Sequence, residues 1–101
     1  MAPVSLQKIL DHLEGQVVLL DEWLVKVTVP NLIQDKRLDR KRRQARRLRW
    51  EYGRAINGLT KGVRNWAIST LRKERAQYRR MDTLGEPRVL ILTNMIASLE
   101  S

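Results

Sequence analysis

The sequence predicts an all-α protein, a small helical bundle of three to four helices with one long Arg-rich helix. Three observations predict this fold. Apolar residues recur at helical spacing in every long segment. No segment has the strict apolar–polar alternation of a β-strand. Glycine and proline interrupt the helical spacing at a few points, which are the expected helix ends. We therefore expect a single helical domain over residues 1–101.

The first helix is predicted over about residues 5–27. Ser5 is a suitable N-cap, and Pro30 ends the helical pattern. Apolar residues between these points fall on one face of the helix. They are Leu6, Ile9, Leu10, Leu13, Val17, Leu20, Leu24 and Val27.

A second group of apolar residues widens that face. Val18, Leu19 and Trp23 lie beside the main stripe, so the apolar arc exceeds what packing against one neighbouring helix requires. A wide apolar arc on a small bundle is typical of a surface that contacts another protein. We therefore expect self-association or contact with other protein subunits, with Trp23 either in the core or at that contact.

The second helix is predicted to begin near Leu32, with Asn31 as its cap, and to contain the basic segment of the chain. Its apolar seam is narrow and is formed by Leu38, Ala45, Leu48 and Tyr52. Such a helix lies on the surface of a domain with one edge docked. The glycine-rich stretch between Gly53 and Gly62 predicts a break or kink.

The remaining chain predicts a third helix, a loop at residues 82–87 and a short final helix. The third helix presents Leu59, Val63, Trp66, Ala67, Thr70, Leu71 and Tyr78. The final helix is expected to bury Val89, Leu90, Leu92, Ile96 and Leu99. The predicted core of the bundle includes Leu13, Leu20, Leu24, Leu48, Leu59, Val63 and Trp66.

The positive charge of the chain is concentrated in one segment. The formal net charge is +9, from 20 basic and 11 acidic residues. Residues 36–49 hold nine basic residues and one acid, Asp39, which leaves eleven basic and ten acidic residues elsewhere. A generally basic protein would spread its charge, so this concentration is typical of a surface that binds a polyanion.

Within a helix, the basic residues occupy two faces. Lys36, Arg40, Arg43 and Arg47 share one face, and Arg42, Arg46 and Arg49 share another. Arginine outnumbers lysine seven to two in this segment, and the planar guanidinium suits bidentate contacts with phosphate. Trp50 lies off the apolar seam, where an indole can stack on a nucleobase. The predicted nucleic-acid-binding residues are Lys36, Arg37, Arg40, Lys41, Arg42, Arg43, Arg46, Arg47, Arg49 and Trp50.

Other interpretations of the basic helix stay open at this level. The segment could be a solvated face, or it could dock on an acidic protein partner as part of an interaction adaptor. An anionic membrane surface fits less well, because the apolar seam is too narrow to enter a lipid interface. A phage or bacterial DNA-binding regulator would need a compact helix-turn-helix, which the long basic helix fits poorly.

Catalytic or metal-binding groups are not indicated. His12 is the only histidine, flanked by Asp11 and Glu14, and it is expected at the surface. No residues have the spacing of a nucleophile with its base or of a metal site. We expect no enzymatic activity, no cofactor and no small-molecule substrate. The absence of cysteine and of a signal-peptide pattern favours a cytoplasmic protein, or a nuclear one if the source is eukaryotic.

An Arg-rich helical chain of this length without catalytic residues is similar to the small subunits of CRISPR effector complexes of the Cascade type. The terminal stretch LILTNMIASLE resembles the apolar last helix of those bundles. The resemblance implies a non-catalytic subunit that holds a nucleic-acid backbone inside an antiviral defence complex. The stretch LRWEYG, residues 48–53, also resembles part of a helical subunit of the GINS replication complex, although this chain lacks that family's length and second domain.

Overall fold

The computed structural model of the chain describes residues 3–27 and 36–101. These residues form four α-helices, one short 3₁₀ helix and no strand, which confirms the predicted all-α bundle. The α-helices are α1 (Leu6–Val27), α2 (Lys36–Thr60), α3 (Asn65–Arg79) and α4 (Glu86–Glu100), and the 3₁₀ helix is Asp82–Leu84. The expected end of the first helix at Pro30 and the expected cap and start at Asn31 and Leu32 lie outside the described residues.

The boundaries of α1 and α4 follow from local chemistry. The Lys8 backbone N–H donates to Ser5 Oγ at 3.2 Å, which confirms Ser5 as the N-cap of α1. The predicted loop at residues 82–87 is partly wrong, because Pro87 lies in the first turn of α4. Proline fits there, since the first backbone N–H groups of a helix have no partner within it.

The predicted break in the glycine-rich stretch occurs later than expected. α2 continues through Gly53 and Gly58 and ends at Thr60. The chain reverses at Gly62, whose φ of +81° favours glycine. A methyl group on Gly58 would lie 2.9 Å from Trp66 Cε3, so glycine here permits close packing of the α2–α3 corner. As a consequence Leu59 belongs to α2 and Val63 to the turn, not to the third helix.

Successive helices run antiparallel, with α2 packed against both α1 and α3, and α3 against α4. Ion pairs mark the register of the first two contacts. Arg49 Nε lies 3.0 Å from Asp21 Oδ1, between α2 and α1. Lys73 Nζ lies 2.9 Å from Glu51 Oε1, between α3 and α2.

The core contains part of the predicted set. Its buried apolar residues are Ile9, Leu13, Tyr52, Ala55, Leu59, Ala67, Leu71, Leu92, Met95, Ile96 and Leu99. Four residues predicted to be buried are only half-buried: Leu20, Leu24, Leu48 and Val89.

Three other residues predicted to be buried are exposed: Val63, Trp66 and Leu90. Val63 lies in the turn after α2. Trp66 is one position off the buried stripe of α3, which begins at Ala67, and 38% of it is accessible. Leu90 lies two positions before the buried Leu92, about 200° around α4.

A buried polar cluster joins three helices. The Glu74 side chain on α3 is almost fully buried. The Tyr52 hydroxyl donates to Glu74 Oε1, and His12 Nε2 lies 2.8 Å from Glu74 Oε2. Burial, followed by the charge of the Glu74 carboxylate, raises the pKa of the Tyr52 hydroxyl above its ordinary value and keeps it a donor. His12, which was expected at the surface, is half-buried and takes part in a contact that joins helices.

Replacing Tyr52 by Phe should lower the free energy of unfolding by about 1.5–3 kcal/mol, because Glu74 would lose its hydroxyl donor while remaining buried. The loss is measured by urea denaturation. Tyr78→Phe is the matched control, since among the described residues the Tyr78 hydroxyl makes no hydrogen bond. Equal losses for the two variants would contradict a stabilising role for the cluster.

Candidate nucleic-acid interface

The predicted binding residues all lie on α2, in its N-terminal part. At 1.5 Å per residue, the 25 residues of α2 span about 37 Å, whereas the 15 residues of α3 span about 22 Å. The Lys73–Glu51 ion pair fixes the register of this antiparallel pair. The N-terminal third of α2 therefore extends past the end of α3.

Two of the predicted binding residues hold α2 against α1. Arg42 donates to the backbone carbonyl of Val27 at the end of α1, and its Nη1 lies 3.1 Å from Asp39 Oδ1. Arg49 donates to Asp21 on α1 at 3.0 Å. A carbonyl at a helix C-terminus lacks a partner within its helix, so Arg42 also caps α1. The structure thus gives Arg42 and Arg49 intramolecular partners, and their guanidinium groups are only partly available to a ligand.

A set of cations occupies the opposite, solvent-facing side of α2. Their positions fall within about 120° of the helix circumference at 100° per residue, and all are exposed. This set, here called the outer arc, consists of Lys36, Arg40, Arg43, Arg46 and Arg47. Of the arc residues, only Arg47 forms an ion pair within the described parts of the chain: its Nε lies 3.8 Å from Glu51 Oε1, and its side chain stays 82% accessible.

The other predicted cations lie on the third side of α2. Arg37 and Lys41 are exposed and are one helical turn apart. Lys41 borders a groove of about 600 Å³ between α1, α2 and α3, with Leu20, Trp23 and Leu48 among its lining residues. Trp23 is half-buried there. The predicted alternatives for Trp23, core or subunit contact, both remain compatible with this position.

Trp50 continues the outer arc towards the C-terminal end of α2. Its side chain is exposed, and the guanidinium carbon of Arg54 lies 4.8 Å from the centroid of its ring. The same guanidinium lies 5.2 Å from the ring centroid of Trp66. The structure therefore brings together two tryptophans and an arginine next to the basic surface.

Sequence reasoning missed Arg54 and placed Trp66 in the core. The i,i+4 spacing of Trp50 and Arg54 is a signal that could have found their contact. The position of Trp66 carries no such signal, since it depends on the turn geometry at Gly58 and Gly62.

Residues 3–27 and 36–101 contain neither a candidate metal site nor a candidate membrane span. No three histidine, cysteine, aspartate or glutamate side chains within these ranges converge in a way that could hold a metal ion. None of the helices is both long and apolar enough to cross a membrane.

The chain was compared with protein-family models, with curated proteins and with solved structures, and none of these matched it.

Proposed function

We propose that this protein is a non-catalytic nucleic-acid-binding subunit that holds the phosphate backbone of RNA or DNA on the outer arc of α2. The observation that carries the proposal is a row of exposed cations on one helix face. Four of them, Lys36, Arg40, Arg43 and Arg46, have no acidic partner in the described residues. A phosphate backbone supplies negative charges at regular spacing along such a row.

The distribution of the acids supports a ligand from outside the chain. Asp39 is engaged by Arg42, Asp21 by Arg49, and Glu51 by Lys73. Asp21 and Glu51 thus stabilise the docking of α2 on α1 and α3, while Asp39 pairs within α2. None of the three forms an ion pair with Lys36, Arg40, Arg43 or Arg46. Like charges on one helix face repel each other, and a bound polyanion relieves that repulsion.

An acidic protein partner is the competing interpretation. Arginine dominates the outer arc, and its planar fork binds phosphate oxygens in a bidentate manner. The exposed indole of Trp50 at the end of the arc favours a nucleic acid further, because nucleobases offer flat faces for stacking. On this basis the chain works within a larger nucleoprotein complex, of the kind in which small CRISPR effector subunits hold backbone.

Replacing Arg40, Arg43 and Arg46 by Gln should weaken binding to mixed-sequence oligonucleotides on the order of a hundredfold at 0.1 M salt, by loss of about three counterion-releasing contacts. The measurement is fluorescence anisotropy with a labelled oligonucleotide. Glutamine has a helix propensity close to that of arginine, so α2 is expected to stay intact.

The matched control replaces Lys8, Lys61 and Arg80 by Gln. These three residues are exposed and lie away from the outer arc of α2. Their replacement removes three positive charges, as many as the arc variant loses. The control should bind nearly as tightly as the parent, and scrambling the oligonucleotide sequence should change little. If the arc variant bound as tightly as the control, the charge run would belong to a different partner.

Incorporation into an assembly is supported by the apolar surface of α1. More than half of the surface of Val18 and of Leu19 is accessible to water. On α4, Leu90 and Ile91 are exposed to a similar extent. Exposed apolar side chains on two helices of so small a protein favour a further protein contact.

Sedimentation velocity tests this part of the proposal. The parent protein should form larger species as its concentration rises, or should co-purify with another subunit. Replacing Val18 and Leu19 by Glu should abolish that association, because charged side chains are disfavoured in an apolar contact. A parent that stays monomeric at several hundred micromolar and has no co-purifying protein would contradict it.

A further inference from the structure

Trp50, Arg54 and Trp66 form a cluster at the corner between α2 and α3, here called the stack, in which the Arg54 guanidinium contacts both rings. The Arg54 guanidinium carbon lies 4.8 Å from one ring centroid and 5.2 Å from the other, within the range of a cation–π contact. Arg54 itself is half-buried, and its Nε is buried without a hydrogen-bond partner among the described residues. The two rings are therefore the main surroundings of this guanidinium.

The stack contains two indole side chains that lie outside the core. Trp50 is 61% accessible and Trp66 38% accessible. A tryptophan can bury 150–250 Å² when it packs in a core, so two partly solvated indoles leave apolar surface unused for folding. Gly58 contributes to the arrangement, because a side chain there would collide with the Trp66 ring.

The accessible surface of the stack lies mainly on Trp50. Arg54 contacts both rings, so each indole already has a cation against it and is a poor site for a second one. Arg54 lies over the Trp50 ring, and the large accessible fraction of this residue leaves part of the indole open to a ligand. A flat, uncharged or π-rich group is the ligand that fits such a face.

The stack continues the outer arc. Arg46 precedes Trp50 by four residues and Arg43 by seven, which places them about 6 and 10.5 Å further along the α2 axis on the same side. A row of phosphate-binding cations thus leads directly to an aromatic platform. This combination is typical of proteins that bind single strands, since a duplex keeps its base faces stacked inside.

We propose that the corner formed by Trp50, Arg54 and Trp66 is a base-stacking site for single-stranded nucleic acid, with the flanking phosphates on Arg43 and Arg46. This inference rests on the proposed phosphate binding by the outer arc. Trp50 supplies the stacking face, and Arg54 fixes the ring orientation and adds a positive charge beside the strand. Stacking reads the face of a base and not its edge, so the site accepts any sequence.

The test compares Trp50→Leu with Trp50→Phe in binding to oligo(dT), to oligo(U), to a duplex of equal length and to an abasic strand with the same number of phosphates. Trp50→Leu should weaken binding to oligo(dT) and oligo(U) about tenfold and leave binding to the duplex and the abasic strand unchanged. Trp50→Phe should keep most of the parent's affinity for oligo(dT) and oligo(U), because phenylalanine also has an aromatic face. Since Trp50 is exposed, neither variant should disturb folding, which circular dichroism verifies.

The outcomes separate this inference from the function on which it rests. If the parent bound none of the four ligands, the phosphate-binding function itself would fail. If the parent bound all four and Trp50→Leu left every affinity unchanged, only the stacking site would be overturned. An equal loss of affinity for all four ligands would also overturn the stacking site. The abasic strand has no bases to stack, so the effect of the indole would then have another cause.

Discussion

The Glu74 carboxylate joins α1, α2 and α3 at one buried point, and the geometry of the basic surface depends on that junction. A buried charge is strongly destabilising unless hydrogen-bond donors surround it. Tyr52 donates from α2, and the His12 ring lies at hydrogen-bond distance from α1. These contacts form only when the three helices share one register and one rotation. The same rotation directs the opposite side of α2, with its outer arc, into solvent.

The acids of the chain reinforce this orientation. Asp21 and the C-terminal carbonyl of α1 bind Arg49 and Arg42, while Glu51 binds Lys73. Each contact lies on the flanks or the inner side of α2. Four cations of the outer arc, Lys36, Arg40, Arg43 and Arg46, form no ion pair among the described residues, so the excess positive charge of α2 is directed mainly to one face. In our account, this asymmetry is what adapts a small bundle to a polyanion.

The sequence predicted the helices better than it predicted their contacts. Apolar spacing and Ser5 placed α1 correctly, because both are local signals. The two faces of the basic helix were also visible, but the role of Arg42 and Arg49 in docking α1 was not. Which arginine meets a carboxylate on another helix depends on helix rotation, and spacing within one helix carries no information about it.

The residues whose positions the sequence predicted incorrectly also depend on contacts between helices. Trp66 was predicted to belong to the buried stripe of α3, but that stripe begins one residue later, at Ala67. Trp66 is therefore exposed and contacts Arg54. Gly58 carries a turn signal in isolation, but in the fold it permits close approach of Trp66 inside a continuous helix. His12 lacked any sequence signal for its contact with Glu74, since this partner is 62 residues away. Non-local packing determines all three positions.

The dependence of affinity on salt concentration tests the central claim most directly, because counterion release counts phosphate contacts. The outer arc offers five cations, so the plot of log K against log salt for a single strand should have a slope of roughly −3.5. A slope near zero would contradict the account, because the arc would then make no phosphate contacts.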